Sequence, residues 1–150
     1  LHYYLKRTSH GSTLSRGVHA QLAAMVNEEE LAWKLYQEAL SSDYQDIQGG
    51  TTAEGIHAGV MAATLFIPLT TFAGMDIRED LLTFNPDLPV AWSSLSFRIT
   101  RLGIDYQIWI GPGEMRVTAS QDTQIIIGQK NVHLLANQPH EALYGFTENP

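Results

Sequence analysis

A chain of 150 residues, 44% hydrophobic and 17% charged, has the size and composition of an ordinary globular protein that buries a respectable core. A net charge of -7 argues against nucleic acid or an anionic membrane as partner, and the absence of cysteine removes disulfides, thiolate nucleophiles and cysteine-ligated metals. No apolar run approaches the roughly 18 residues of a membrane span and no secretory signal opens the chain, so a cytoplasmic location is expected; Leu1 in place of Met suggests that the N-terminus lies elsewhere or was processed.

Residues 1–11 read as a lead-in loop. His2, Tyr3, Tyr4, Leu5, Lys6 and Arg7 mix aromatic and basic side chains, which can line a pocket or close one end of a helix bundle. A first helix is expected from about Ser12 to Val26, with Leu14, Val18, Leu22, Met25 and Val26 on one apolar face. A second should start with Asn27 as its cap and Glu30 three residues on, where Glu28, Glu29 and Glu30 compensate the helix dipole. Its buried stripe combines Leu31, Leu35 and Ala39 with Ala32, Tyr36 and Leu40, leaving Trp33, Lys34 and Glu38 on other faces. Paired antiparallel helices of this kind suit an α/α barrel or any helical bundle.

After Ser41-Ser42-Asp43-Tyr44-Gln45 comes the stretch Asp46-Ile47-Gln48-Gly49-Gly50-Thr51-Thr52-Ala53-Glu54-Gly55-Ile56-His57, a glycine hinge that feeds a third helix running to Phe66, which Pro68 ends or bends. A helix start of this composition is an anion seat, because its first N–H groups lack partners and glycines let a ligand approach the backbone. Thr51 and Glu54 also fit a capping box. His57, placed one and a half turns into the helix, either packs in a core hydrogen bond or points at whatever occupies the helix mouth. Thr8-Ser9-His10-Gly11-Ser12-Thr13 repeats the design before the first helix. Two such starts suggest one polar ligand held between two helix N-termini, with phosphate the economical choice.

Gly74 marks a change of period from 3.6 to two. Leu95, Phe97 and Ile99 alternate with polar residues, and past Leu102-Gly103 so do Ile104, Tyr106, Ile108 and Ile110, which together predict a hairpin. Gly111-Pro112-Gly113 is a turn; Met115, Val117 and Ala119 give a third strand, 125–127 a fourth and 132–135 a fifth, as in half a sandwich or a jelly-roll-like sheet. Gln138 to Pro150 has weak pattern and reads as a tail or covering loop. The fold class is therefore α+β, with helices in 1–75 and an antiparallel β domain in 76–150.

His2, His10, His19, His57, His133 and His140 are scattered without metal-ligand spacing, so no metal is expected, and His19 reads as a core or barrel-lining histidine. Glu54 is the one acid inside a site-like motif, and capping accounts for it.

Thr8-Ser9-His10-Gly11-Ser12-Thr13-Leu14-Ser15 and Gly49-Gly50-Thr51-Thr52-Ala53-Glu54-Gly55-Ile56-His57 closely resemble the C-terminal part of glycoside hydrolase family 65, the maltose, trehalose and kojibiose phosphorylases. The resemblance continues through Gly74-Met75-Asp76-Ile77-Arg78-Glu79-Asp80 and Leu82-Thr83-Phe84-Asn85-Pro86-Asp87-Leu88-Pro89, and covers roughly residues 2 to 110. It implies an inverting phosphorylase in which inorganic phosphate, a co-substrate, attacks the anomeric carbon of an α-linked glucoside and releases β-glucose 1-phosphate. No cofactor is implied. By resemblance, 1–75 are the last helices of an (α/α)6 barrel and 76–150 the C-terminal β domain, with the rest of the barrel and the general acid upstream. Phosphate contacts then fall to Ser12, Thr13, Gly49, Gly50, Thr51 and His57, and sugar contacts to His10 and Lys6. Family members often carry an acidic residue and a proline where Leu5 and Lys6 stand, which leaves the role of Lys6 open. The expected partners are an α-linked disaccharide, phosphate and the upstream polypeptide, with a homodimer allowed because family members are often dimers. A hydrolase of the same family and a non-catalytic β module that contacts carbohydrate are the alternatives.

Overall fold

The structure, a computed structural model, describes residues 1–7, 14–45 and 55–145. The chain is α+β and divides into two compact units, Leu1–Thr71 and Phe72–Pro150.

In the first unit, α1 (His2–Leu5) is a single turn in which the Leu5 and Lys6 N–H groups donate to the Leu1 and His2 carbonyls. Part of the expected lead-in loop is thus helical. The helices α2 (Leu14–Met25), α3 (Glu29–Ser41) and α4 (Ala58–Ile67) pack on one another. Small residues set their spacing. Gly17 and Ala63 face each other so closely that a Cβ on Gly17 would stand 3.2 Å from that of Ala63. The Tyr36 hydroxyl donates to the Thr64 carbonyl at 3.1 Å and ties α3 to α4.

Expectations about two of the helices are corrected. The buried face of α2 is Gly17, His19, Ala20 and Ala23, whereas Leu14, Val18, Leu22, Met25 and Val26 are exposed, Met25 by 78%. Close helix packing selects the small-residue face, and the large apolar stripe points the other way. Asn27 does not cap α3. At φ 59 it closes α2, where the Asn27 N–H reaches the Ala24 carbonyl and the Glu28 N–H the Ala23 carbonyl, a Schellman arrangement that Asn tolerates better than most residues. Glu28 takes the N-cap position of α3, with Glu29 and Glu30 in the first turn as the dipole argument requires. Pro68 ends the third helix, one of the two roles expected of it: it is the C-cap of α4, and the chain runs on through a π-helical turn, Pro68–Phe72. In α3 the stripe Ala32, Leu35, Tyr36 and Ala39 is buried as read, except that Leu40 is exposed.

Among the described residues the second unit holds seven strands in two sheets. Strands β2 (Leu95–Arg101), β3 (Ile104–Gly111), β4 (Glu114–Ala119) and β7 (His140–Leu143) form an antiparallel sheet in the order β2-β3-β4-β7. Strands β1 (Leu82–Phe84), β5 (Thr123–Ile127) and β6 (Lys130–Leu134) form the other, in which β1 runs parallel to β5. The predicted β2–β3 hairpin is present with Arg101 opposite Ile104. Its two turn residues, Leu102 and Gly103, both have positive φ, the geometry whose twist matches the flanking strands. Inward residues of both sheets share one core, with Leu82, Phe84, Ile110, Met115, Val117, Ile125 and Leu134 all but inaccessible. Burial of each such side chain contributes about 1.5–3 kcal/mol.

The expected tail is also corrected, because 140–143 pair with β4, Val117 opposite His140 and Met115 opposite Ala142. As an edge strand, β7 half-buries only alternate residues, so its pattern is weak.

Candidate functional site

Helix α4 begins about one and a half turns after the point where the sequence reading put an anion seat. His57 is its N-cap, at φ -89 and ψ 95, and its carbonyl accepts the Val60 and Met61 N–H groups at 2.9 and 3.1 Å. The imidazole is therefore at the helix mouth rather than one and a half turns inside. Gly55 explains the shift: its φ of +96 lies outside the helical region, so no α-helix runs through it into Ala58.

His57 is held by a residue that sequence reasoning passed over. Asp43 lies in the turn after α3, and its Oδ2 accepts the His57 backbone N–H at 2.9 Å while its Oδ1 accepts from Nδ1 at 3.2 Å. The Asp43 side chain is 8% exposed and that of His57 is 32% exposed. A carboxylate beside the first turn of a helix is favoured by the dipole, and here it also fixes the ring plane. No local signal marks Asp43 as a partner of His57, because the contact is made by the packing of α3 against α4.

Of the other predicted site residues, His10, Ser12, Thr13, Gly49, Gly50 and Thr51 lie outside the described residues, as does the Thr51–Glu54 capping pair. Lys6 follows α1 and is exposed. Within α2, Arg16 pairs with Glu38 of α3, a bridge whose guanidinium side chain is 14% exposed. His19 is buried with its Nδ1 2.6 Å from the Ser15 carbonyl one turn back, as a core histidine would be. His2 stands 3.0 Å from Glu28, and His133 is exposed.

The outer face of the four-stranded sheet carries an open groove of about 450 Å3 lined by Ser96, Arg98, Gln107, Trp109, Arg116 and Thr118. The Arg116 guanidinium lies 4.7 Å from the centre of the Trp109 ring and its Nε donates to Glu141 at 2.9 Å. The indole thus already has a cation on it, in a ladder that crosses β3, β4 and β7.

Comparison with known proteins sets these features in context. The family model for the glycosyl hydrolase family 65 central catalytic domain matches residues 1–66, and that for the glycosyl hydrolase family 65 C-terminal domain matches residues 75–134. The chain is similar to trehalose 6-phosphate phosphorylase of Lactococcus lactis subsp. lactis (strain IL1403), at 42% identity over 134 residues, 89% of this chain and 17% of that protein. It is similar to a kojibiose phosphorylase of Caldanaerobacter subterraneus subsp. tengcongensis, at 34% identity over 116 residues, 77% of this chain and 15% of the relative. A solved protein structure from the human microbiome shares the fold, with a TM-score of 0.82 at 24% identity over 99% of this chain and 22% of that one. The chain spans less than a fifth of the length of these two curated relatives. Matches to two successive domain models of one family, in chain order and on either side of the change from helices to strands, lead to one conclusion: the chain belongs to glycosyl hydrolase family 65.

Proposed function

We propose that these residues are the C-terminal portion of an inverting disaccharide phosphorylase, with 1–75 supplying the last barrel helices and the phosphate site and 76–150 the C-terminal β domain. In the complete enzyme a phosphate oxygen forms a bond to the anomeric carbon of an α-glucoside as the glycosidic C–O bond breaks on the opposite side. The leaving oxygen takes its proton from a general acid upstream of this chain, and the product is β-glucose 1-phosphate. Phosphate is already an anion, so no base is needed to activate it, and the protein's task is positioning and charge stabilisation.

The observation that carries this reading is His57 at the mouth of α4, oriented by a carboxylate. An imidazole there joins its own donor to the unpaired N–H groups and positive dipole of a helix start. Ser12, Thr13, Gly49, Gly50 and Thr51 complete the proposed phosphate site, and His10 and Lys6 are assigned to sugar. A hydrolase would need a carboxylate to activate water on this side. Asp43 is engaged with the His57 backbone and ring, and hydroxyls and glycines make up the remaining set. The carbohydrate-contacting module has less support, because Arg116 occupies the aromatic face on which a sugar ring would stack.

The test uses the complete polypeptide. Disaccharide should be cleaved only when phosphate is supplied, and His57→Ala should raise the KM for phosphate while leaving that for disaccharide near its parent value. Equal turnover in phosphate-free buffer would exclude phosphorolysis.

A further inference from the structure

Asp43 meets two groups of a residue fourteen positions later, the backbone N–H and the Nδ1 of His57. Its carboxylate is nearly shielded from water, with 8% of the side chain exposed. An ionised carboxylate only accepts hydrogen bonds, so the ring presents Nδ1–H to Oδ1.

We propose that Asp43 is a positioning residue for the phosphate site: it clamps the backbone and ring of His57 together and so fixes the direction in which the imidazole meets a phosphate oxygen. The proposal rests on the reading of His57 as a phosphate ligand. It adds a buried carboxylate next to an anion site, where a simple sum of charges would place none. The acid acts through the imidazole between it and the anion, as an outer carboxylate orients a histidine in other sites.

A purely structural role is the competing account, because Asp43 also joins the end of α3 to the start of α4. Asp43→Asn separates the two. The amide oxygen still accepts the His57 backbone N–H and preserves the tether, but the NH2 group now faces Nδ1, so the Nδ1–H that Oδ1 accepted loses its acceptor and the ring is no longer held in the same orientation. In the complete enzyme, Asp43→Asn should raise the KM for phosphate about tenfold, the worth of a charged hydrogen bond. The KM for disaccharide and the unfolding midpoint should stay near the parent's. In a His57→Ala background, Asp43→Asn should change the phosphate KM no further, since the residue through which it acts is gone. Asp43→Glu, which restores a carboxylate, should recover part of the loss. Should Asp43→Asn fail to fold, Asp43→Ser carries the same comparison, because its hydroxyl can accept the N–H without supplying charge.

A phosphate KM unchanged in Asp43→Asn but raised in His57→Ala overturns the proposal and leaves the phosphate reading standing. So does an equal rise from Asp43→Asn in both backgrounds. An unchanged phosphate KM in His57→Ala removes the phosphate reading itself, and the proposal with it.

Discussion

Gly74 and Asn85 approach so closely that a Cβ on the glycine would lie 1.9 Å from the Asn85 carbonyl oxygen. The Asn85 N–H donates to the Gly74 carbonyl at 3.0 Å, and Gly74 has a φ of +57, so space and backbone conformation both demand glycine. The obstacle is backbone, which cannot swing aside as a flexible side chain can. Gly74→Ala should therefore destabilise the protein by at least about 3 kcal/mol, read as a lower urea midpoint with an unchanged slope. A midpoint within experimental error of the parent would mean that 74 and 85 are not so apposed.

Tyr144 closes the end of β7 against the β3–β4 turn. Its hydroxyl donates to the Gly111 carbonyl at 2.5 Å, and its N–H donates to the Gly113 carbonyl at 3.0 Å. Tyr144→Phe should cost about 1–2 kcal/mol, because the Gly111 carbonyl loses its side-chain partner. Burial raises the Tyr144 hydroxyl above its ordinary pKa of 10.0. A raised folded-state value stabilises the protonated native form, so this contribution is intact below pH 10.0 and fades as pH climbs beyond it. Tyr36 is raised by burial in the same direction, so the alkaline loss should be reduced in Tyr144→Phe without disappearing. Titrating thermal midpoints between pH 8 and 11 would show it.

Asp76 gives the acid counterpart. Side-chain hydrogen bonds from Arg78, at 3.0 and 2.6 Å, together with the Arg78 backbone N–H at 2.9 Å, hold its carboxyl at about 2, below the usual 3.8. A lowered folded-state value means that the ionised native form is the stabilised one. Its contribution is complete above pH 3.8 and is lost as pH falls through about 2. Asp76→Asn should flatten the midpoint-versus-pH curve in that window and leave its neutral limb parallel to the parent's.

If the proposed function holds, the outward stripe of α2 should behave differently in the 150-residue chain and in the complete polypeptide. Val18 is 54% and Leu22 43% exposed here, although side chains of this kind normally cover or are covered. If upstream barrel helices lie on this stripe, Val18→Lys with Leu22→Lys should destabilise the complete protein by about 2–4 kcal/mol. The same pair should leave the stability of the 150-residue chain nearly unchanged and improve its solubility. A negligible effect in both settings would show the stripe to be bare in each.

Much of this architecture can be read from local pattern. The β2–β3 hairpin is legible because alternation and turn chemistry agree at Leu102 and Gly103, and α3 because its stripe is regular. Pairing between distant segments is not legible. Nothing in Leu82-Thr83-Phe84 announces that it runs parallel to Ile125-Ile126-Ile127, or that 140–143 border β4. Asn27 is chemically suited to a cap and to a left-handed residue alike, and the packing of α2 on α3 selects the second role. At the site, His57 is recognisable from its neighbours in the sequence, whereas Asp43 becomes visible only when two helices bring it alongside.

The parallel partnership of β1 and β5 bears on how the second unit assembles. Hairpins such as β2–β3 and β5–β6 can zip up from their own turns, but β1 must wait for a partner some forty residues downstream. In a newly made chain the first strand to leave the ribosome is thus expected to be the last to settle, and until then the β5 edge it covers stands open to strangers.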